Sequence, residues 1–382
     1  MKRLAKHTVP AALFAVVLLV SAVITPKSFV FQHELGLFIA LPDYFRDIFS
    51  GSFPISNLIG DFLVQFYRFP LIGPLCTAAL VLSIFLLSRG IFRKFTRLNE
   101  FFAILFSCAA WFVIARSTMP AVAVGILLIT GAVRLALIPV KSTVRKAEPK
   151  SRAIPLIVAA VTAVIISTDP IIGNLESWGR IEIAAKEARW NDVLKAATPE
   201  KAAKDRDMVP FALLASGCKG QMNGALGKYK VANPGEMDFI GVQNRRGYYF
   251  ESLLAEQLGC TNEAIHNIFQ CGCHMHRGTS FSVLTLLIRY NIELGNYSLV
   301  CKYANILSHS PAYASEARKV LDIYTGKEDL PVDGGPADQA LSTTENPMFN
   351  LVYMEKCGID SPITKPRYDA YAILVKKARK GR

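Results

Sequence analysis

Five apolar runs in the first 170 residues constrain this chain more than any other feature. Thr8–Thr25 and Leu71–Ser88 each hold 18 residues without a charge. Phe101–Ala115 holds 15, and Leu98–Met119 completes the run with polar ends. Met119–Val140 carries one charge, Arg134, and Ala153–Thr168 runs 16 uncharged residues to Asp169. A bilayer core of about 30 Å takes roughly 17–25 apolar residues as helix. The runs therefore predict five transmembrane helices, at about residues 8–25, 71–88, 98–119, 119–140 and 153–169.

Charge is divided unevenly along the chain. Residues 1–170 contain 17 Lys and Arg against 7 Asp and Glu, a net of +10; the remaining 26 and 23 give +3. Within the first part, 12 of the 17 basic residues fall in Met1–His7, Arg89–Glu100 and Lys141–Arg152. Basic residues collect on the cytoplasmic side of spans, so the N-terminus is expected inside and the residues after the fifth span outside. The first run reads as a retained signal anchor. The basic balance is thus a topology signal, and no basic stretch is interleaved with aromatics as a nucleic-acid surface requires. The domain expectation is a membrane bundle over 1–170, an external domain over 171–325, a flexible linker over 326–347 and C-terminal helices over 348–382.

The outer loop, residues 26–70, is more than a connector. Leu41, Tyr44, Phe45, Ile48 and Phe49 recur at helical spacing, and Leu58, Ile59, Phe62, Leu63, Phe66 and Tyr67 repeat the pattern. Aromatic-rich amphipathic helices of this kind lie in the membrane interface. His33-Glu34 is the one place near the membrane for a general base or metal ligand.

Past residue 171 the chain reads as helical hairpins. Tyr248–Leu258, Gly259 and Thr261–His274 form one; Phe281–Leu294, Gly295 and Tyr297–Leu307 form the next. The two Leu-Gly pairs are 36 residues apart (294 − 258), close to the period of tetratricopeptide-like arrays. Glu182–Ala197 and Asp207–Lys219 look like an earlier, degenerate pair. Tyr313–Tyr324 and Pro366–Lys380 supply later helices, with a flexible break at Lys327–Glu345. The fold class is therefore all-α. Stacked hairpins form one core with a side surface that binds peptides or proteins.

Cys271-Gly272-Cys273-His274-Met275-His276 resembles a zinc or copper site in composition. On a helix, however, Cys271 and His274 face one side while Cys273 and His276 face the other, so no metal is assigned and no other cofactor is implied. Six cysteines, Cys218, Cys260, Cys271, Cys273, Cys301 and Cys357, fall in the external domain, where disulfides persist; their pairing stays open. Phosphate-loop, nucleophile-elbow and His-Glu-x-x-His motifs are missing from the sequence. Arg134 is the only charge clearly inside a span, away from its ends, and five spans without an internal repeat fit a carrier poorly.

Several stretches together carry a resemblance. They are Phe31-Gln32-His33-Glu34-Leu35-Gly36-Leu37-Phe38, Asp61-Phe62-Leu63-Val64-Gln65-Phe66-Tyr67, Ala188-Arg189-Trp190-Asn191-Asp192-Val193-Leu194, Leu258-Gly259-Cys260-Thr261-Asn262-Glu263-Ala264, Lys302-Tyr303-Ala304 and Pro366-Arg367-Tyr368-Asp369-Ala370-Tyr371. The chain resembles an uncharacterised family of Bacteroidota inner-membrane proteins, a domain of unknown function. The resemblance implies an N-terminal bundle followed by an external repeat domain; it carries over no catalytic residues, since none are established for the family. The expected function is a protein-binding scaffold or accessory subunit in the cell envelope, touching the bilayer and a protein or peptide partner through residues 180–325. The alternative is a glycosyltransferase-like enzyme with a polyprenyl-linked sugar donor, in which Glu34 with Asp43 or Asp47 acts as general base or metal ligand.

Overall fold

The computed structural model describes residues 8–141, 153–239, 244–275, 277–330, 371 and 373–378. Among them every regular element is helical. The chain divides into two compact units, Met1–Gly179 and Arg180–Arg382.

In the first unit, α1 (Thr8–Ile24) bends by 75° into α2 (Pro26–Leu35). Pro26 removes the amide that would continue the ladder, and Thr25 turns its hydroxyl back to the Ser21 carbonyl at 3.2 Å. The short amphipathic helices α3 (Pro42–Ser50) and α4 (Pro54–Val64) follow. Then come α5 (Ile72–Phe92), α6 (Asn99–Arg116), α7 (Pro120–Ala136) and α8 (Ala153–Thr168). A second bend, of 53°, leads from α8 into α9 (Pro170–Lys186). Leu13, Val17, Val81, Phe85, Ile104, Trp111 and Ile166 make the shared core. The outward faces stay apolar, with Leu86, Leu105, Val113, Ile129 and Val164 exposed.

By length and composition, α5 and α6 are able to cross a membrane, and the count rises to four if each bent pair is one span. The fourth expected span, 119–140, is shorter: α7 ends at Ala136 after 17 residues. Pro139 disfavours helix at the residue before it, and Lys94 donates to the freed carbonyls of Leu137, Ile138 (3.0 Å) and Val140 (2.8 Å). Two further boundaries differ from expectation. The loop begins as helix α2, and the second amphipathic stretch stops at Val64, leaving Phe66 and Tyr67 in turns.

The second unit holds α10 (Trp190–Ala196), α11 (Pro199–Lys204), α12 (Met208–Cys218), α13 (Met222–Lys228), α14 (Arg245–Leu258), α15 (Thr261–Cys273), α16 (Phe281–Leu294), α17 (Tyr297–Ser308) and α18 (Ala314–Tyr324). Four of its connections share one turn. Ala188, Gly220, Gly259 and Gly295 have φ of 52°, 70°, 85° and 73°. The next amide reaches back five residues: Arg189 to Ala184 (2.8 Å), Gln221 to Ser216 (2.8 Å), Cys260 to Ala255 (2.9 Å) and Asn296 to Asn291 (2.9 Å). This is the Schellman helix stop, which satisfies orphan carbonyls and reverses the chain. Each following helix starts two residues after the left-handed residue. The hairpins are thus α9 with α10, α12 with α13, α14 with α15 and α16 with α17. Their turns are spaced by 32, 39 and 36 residues (220 − 188, 259 − 220, 295 − 259). Glu182–Ala197 is a hairpin in itself, and Asp207–Lys219 pairs with a helix, α13, that its own Gly224 and Gly227 disguise in the sequence.

The core of this unit runs along the first helix of each hairpin. Phe211, Phe239 and Phe250 meet edge to face at 5.1–6.2 Å between centroids. Residues 371 and 373–378 are helical, and Tyr371 donates to the Met237 carbonyl at 2.6 Å. Most of the expected flexible break lies outside the described residues, as do 1–7 and 142–152. Its first part is held: Asp329 accepts from the amide (2.7 Å) and hydroxyl (2.6 Å) of Ser298, capping α17, and Leu330 donates to the Gly295 carbonyl at 3.0 Å.

Candidate functional site

The loop carboxylates stand on separate helices. Glu34 is half-buried on α2, beside His33, which is buried; Asp43 and Asp47 are exposed on α3. Asp43 pairs with Arg46 at 3.1 Å on the open surface, a contact of little energetic weight. What holds the loop together is aromatic. Phe38 meets Tyr44, Phe45 and Phe62 edge to face at 5.6, 6.3 and 5.4 Å. Tyr44 donates to Asp61 at 2.8 Å. Helix α4 lies so close to α7 that a Cβ on Gly60 would stand 2.6 Å from the Ala121 amide nitrogen. Phe49, Phe53 and Phe69 remain exposed around this cap, Phe53 by 70%.

Beneath it, a cavity of about 30 Å³ is lined by Ser21, Thr25, Ser28, Gln32, Thr77 and Ser117 together with Trp111 and Tyr67. A volume of that size holds a water or two. Glu34, Asp43 and Asp47 are not among its lining residues. Two carboxylates unforeseen in the sequence stand at helix starts instead. Glu176 accepts from the amides of Lys27 (2.9 Å) and Ser28 (2.8 Å) and from the Ser28 hydroxyl, closing the N-terminus of α2. Asp169 accepts from Ile171 (2.9 Å) and Ile172 (3.1 Å) at the start of α9, and from Arg116 at 2.6 Å. Capping carboxylates satisfy orphan amides and the positive end of the helix dipole. Only long-range folding brings Glu176 to residue 27, so no local signal marks it.

The cysteine–histidine segment straddles the end of α15, which stops at Cys273. Cys271 is buried, Cys273 and His274 are exposed, and His276 and Cys357 lie outside the described residues. Burial pushes the Cys271 thiol up to about 12, against the lowering effect of Arg245. His274 stacks on Tyr248 at 5.2 Å. Among the described residues no three His, Cys, Asp or Glu side chains are grouped to hold a metal. Cys218, Cys271, Cys273 and Cys301 are thiols.

In the second unit the first helices of the hairpins turn toward an ionic network. Glu182, 4% exposed, accepts two bonds of 2.7 Å from Arg245, and Arg246 approaches it at 3.4 Å. Burial raises the Glu182 carboxyl, but the charge of Arg245 and the paired hydrogen bonds outweigh it and hold it below the usual carboxylate range. Arg289 reaches the Lys186 carbonyl (3.2 Å) and Glu256 (2.7 Å). Here burial wins, and Glu256 sits above its ordinary value. The end of α9 is thereby tied to α14 through Arg245 and Arg246 and to α16 through Arg289.

The open surface lies at the first turn. Ala188, Arg189, Trp190, Asn191, Asp192, Lys195 and Lys219 line a shallow basin of about 370 Å³. Half-buried Trp190 lies amid three cations and one acid. Arg189 is tied to Glu187 (2.6 Å) and Asp192, and Lys219 donates to Asn191. Arg189 and Lys195 hold the Asp192 carboxyl below its ordinary range.

A family of unknown function, DUF6057, matches residues 2–168 and 173–333. The chain belongs to this family. The DUF6057 match takes in the loop, the cavity, all four hairpin turns and the Trp190 basin, so each is part of what the family model describes. No curated protein and no solved structure matches the chain.

Proposed function

We propose that this DUF6057 member is an integral inner-membrane protein of a bacterial cell envelope. In this reading five helices span the bilayer, with α7 at the short end of the spanning range. The N-terminus is cytoplasmic, α3 and α4 lie in the outer interface, and the second unit faces the periplasm. That unit is a tetratricopeptide-like array acting as a scaffold or accessory subunit that holds a protein or peptide partner. The observation that carries the reading is the Trp190 basin on an array of four hairpins with one shared turn. Three cations against Asp192 and the Arg189-bound Glu187 leave one net positive charge, which favours an acidic segment, and a half-buried indole favours an apolar side chain beside it; Trp and Arg are the usual anchors of such contacts.

The sugar-transferase reading is weaker, since its three carboxylates lie on two helices and outside the cavity. A photo-crosslinking residue at Asn191 in the full chain, in native membranes, tests the proposal. A discrete adduct that disappears in Trp190→Ala and in Lys195→Glu is expected. An unchanged adduct pattern in both variants rejects the basin, and accumulation of lipid-linked sugar in Glu34→Gln would favour the enzyme.

A further inference from the structure

Arg134 is the charge that neither reading uses. It stands in the last turn of α7 and is half-buried. Its side chain lies against the backbone of α5: a Cβ on Gly90 would meet Arg134 Nε at 2.5 Å and Cζ at 3.1 Å. The acid at this end of the unit is already engaged, because Glu100 pairs with Arg89 at 2.6 Å. No carboxylate among the described residues pairs with Arg134. A cation in a last turn is favoured by the helix dipole, and Lys94 donates to the carbonyls of Leu137, Ile138 and Val140 just beyond α7. The dipole favours a cation in this turn but does not select the placement over Gly90. The segments flanking this end are basic in sequence, with Arg89 in the last turn of α5, Arg93, Lys94 and Arg97 after it, and Lys141 after α7. Beside them Leu135 and Ile138 are exposed by 66% and 63%.

We propose that Arg134, seated over Gly90, binds the phosphate of an anionic phospholipid whose acyl chains lie along Leu135 and Ile138. A guanidinium matches phosphate in a two-pronged geometry and loses less hydration than an ammonium. Basic clefts between spanning helices at the cytoplasmic side hold anionic headgroups in this way. The exposed leucine and isoleucine select a lipid over a free anion. The inference rests on the membrane reading above.

The test uses the purified, delipidated full chain in neutral detergent, titrated with phosphatidylglycerol or phosphatidylcholine and read by native mass spectrometry. Phosphatidylglycerol is expected to bind about tenfold tighter, the worth of one charge-assisted contact. Arg134→Gln should abolish that preference, and Arg134→Lys should keep part of it. Gly90→Ala retains every charge, displaces the guanidinium and should weaken the preference, which covers the case in which Arg134→Gln fails to fold. Equal binding of the two lipids, an unchanged preference in Gly90→Ala and in a folded Arg134→Gln, or full competition by millimolar inorganic phosphate overturns the proposal. Alkaline carbonate extraction of membranes separates the two levels: release of the chain rejects the membrane reading itself, whereas retention without lipid preference rejects only this site.

Discussion

Ala188 holds a left-handed conformation, φ 52°, that its three sister turns give to glycine. An L-residue there pays roughly 1–2 kcal/mol of steric cost, so Ala188→Gly should stabilise the protein by about 1 kcal/mol, read as a higher midpoint in thermal or urea unfolding. Gly259→Ala should cost a similar amount of about 1 kcal/mol; nothing lies within 4 Å of its Cβ position, so backbone strain alone would be measured. Two glutamates, buried Glu182 and half-buried Glu256, predict opposite pH behaviour. Glu182 is held below its unfolded range, so its stabilisation is complete above that range and disappears as pH falls through the folded value. Glu182→Gln leaves Arg245 buried without its counter-charge and should cost about 3 kcal/mol at pH 7, and its melting curve should converge with wild type on acidification below about pH 4. Glu256 is raised, so its ionised form opposes folding at neutral pH and that opposition fades as pH falls. Glu256→Gln should melt no lower than wild type at pH 7, with any gain shrinking toward pH 5. Of these positions the sequence marks Gly259 and Gly295; alanine carries no turn signal, and a glutamate bound by two distant arginines looks like any surface acid.

At the scale of elements, helix boundaries follow proline more closely than hydropathy. Six helices, α2, α3, α4, α7, α9 and α11, begin with Pro26, Pro42, Pro54, Pro120, Pro170 and Pro199, where the missing amide is harmless. Pro139 explains why an apolar run of 22 residues (119–140) yields a helix of 17. The existence of the long helices and of the last two hairpins was legible from apolar period and Leu-Gly pairs. The first two hairpins read as one degenerate pair, because their second helices have only 7 residues each and one contains two glycines. The crossing of α4 on α7 is set by Gly60, where the neighbour is rigid backbone. Gly60→Val should therefore force the helices apart at a cost of about 2 kcal/mol, visible as a lower melting temperature in detergent; Gly173→Val, with open space around its Cβ position, is the matched control.

For the whole molecule, the outer aromatic rim predicts where water ends. If Phe53 and Phe69 sit in the interface, Phe53→Trp should fluoresce blue-shifted in vesicles and be quenched by lipids brominated near the headgroup, whereas an unquenched, water-like spectrum would place α3 and α4 away from lipid. The candidate site was not legible as a site: the Arg189-Trp190 stretch enters only through the family resemblance, and its basin arises from Lys219, brought in by the second turn. The shared helix stop also bears on how the second unit comes into being. Each hairpin closes across a handful of residues, so its contacts are local in the chain, and local contacts form fast. During synthesis the Ala188 turn is complete before Gly220 has left the ribosome, and Gly220 before Gly259. Each fold-back is thus expected to close in the order in which it is written, while the long-range ties of Glu182 to Arg245 and of Lys186 to Arg289 wait for the later hairpins.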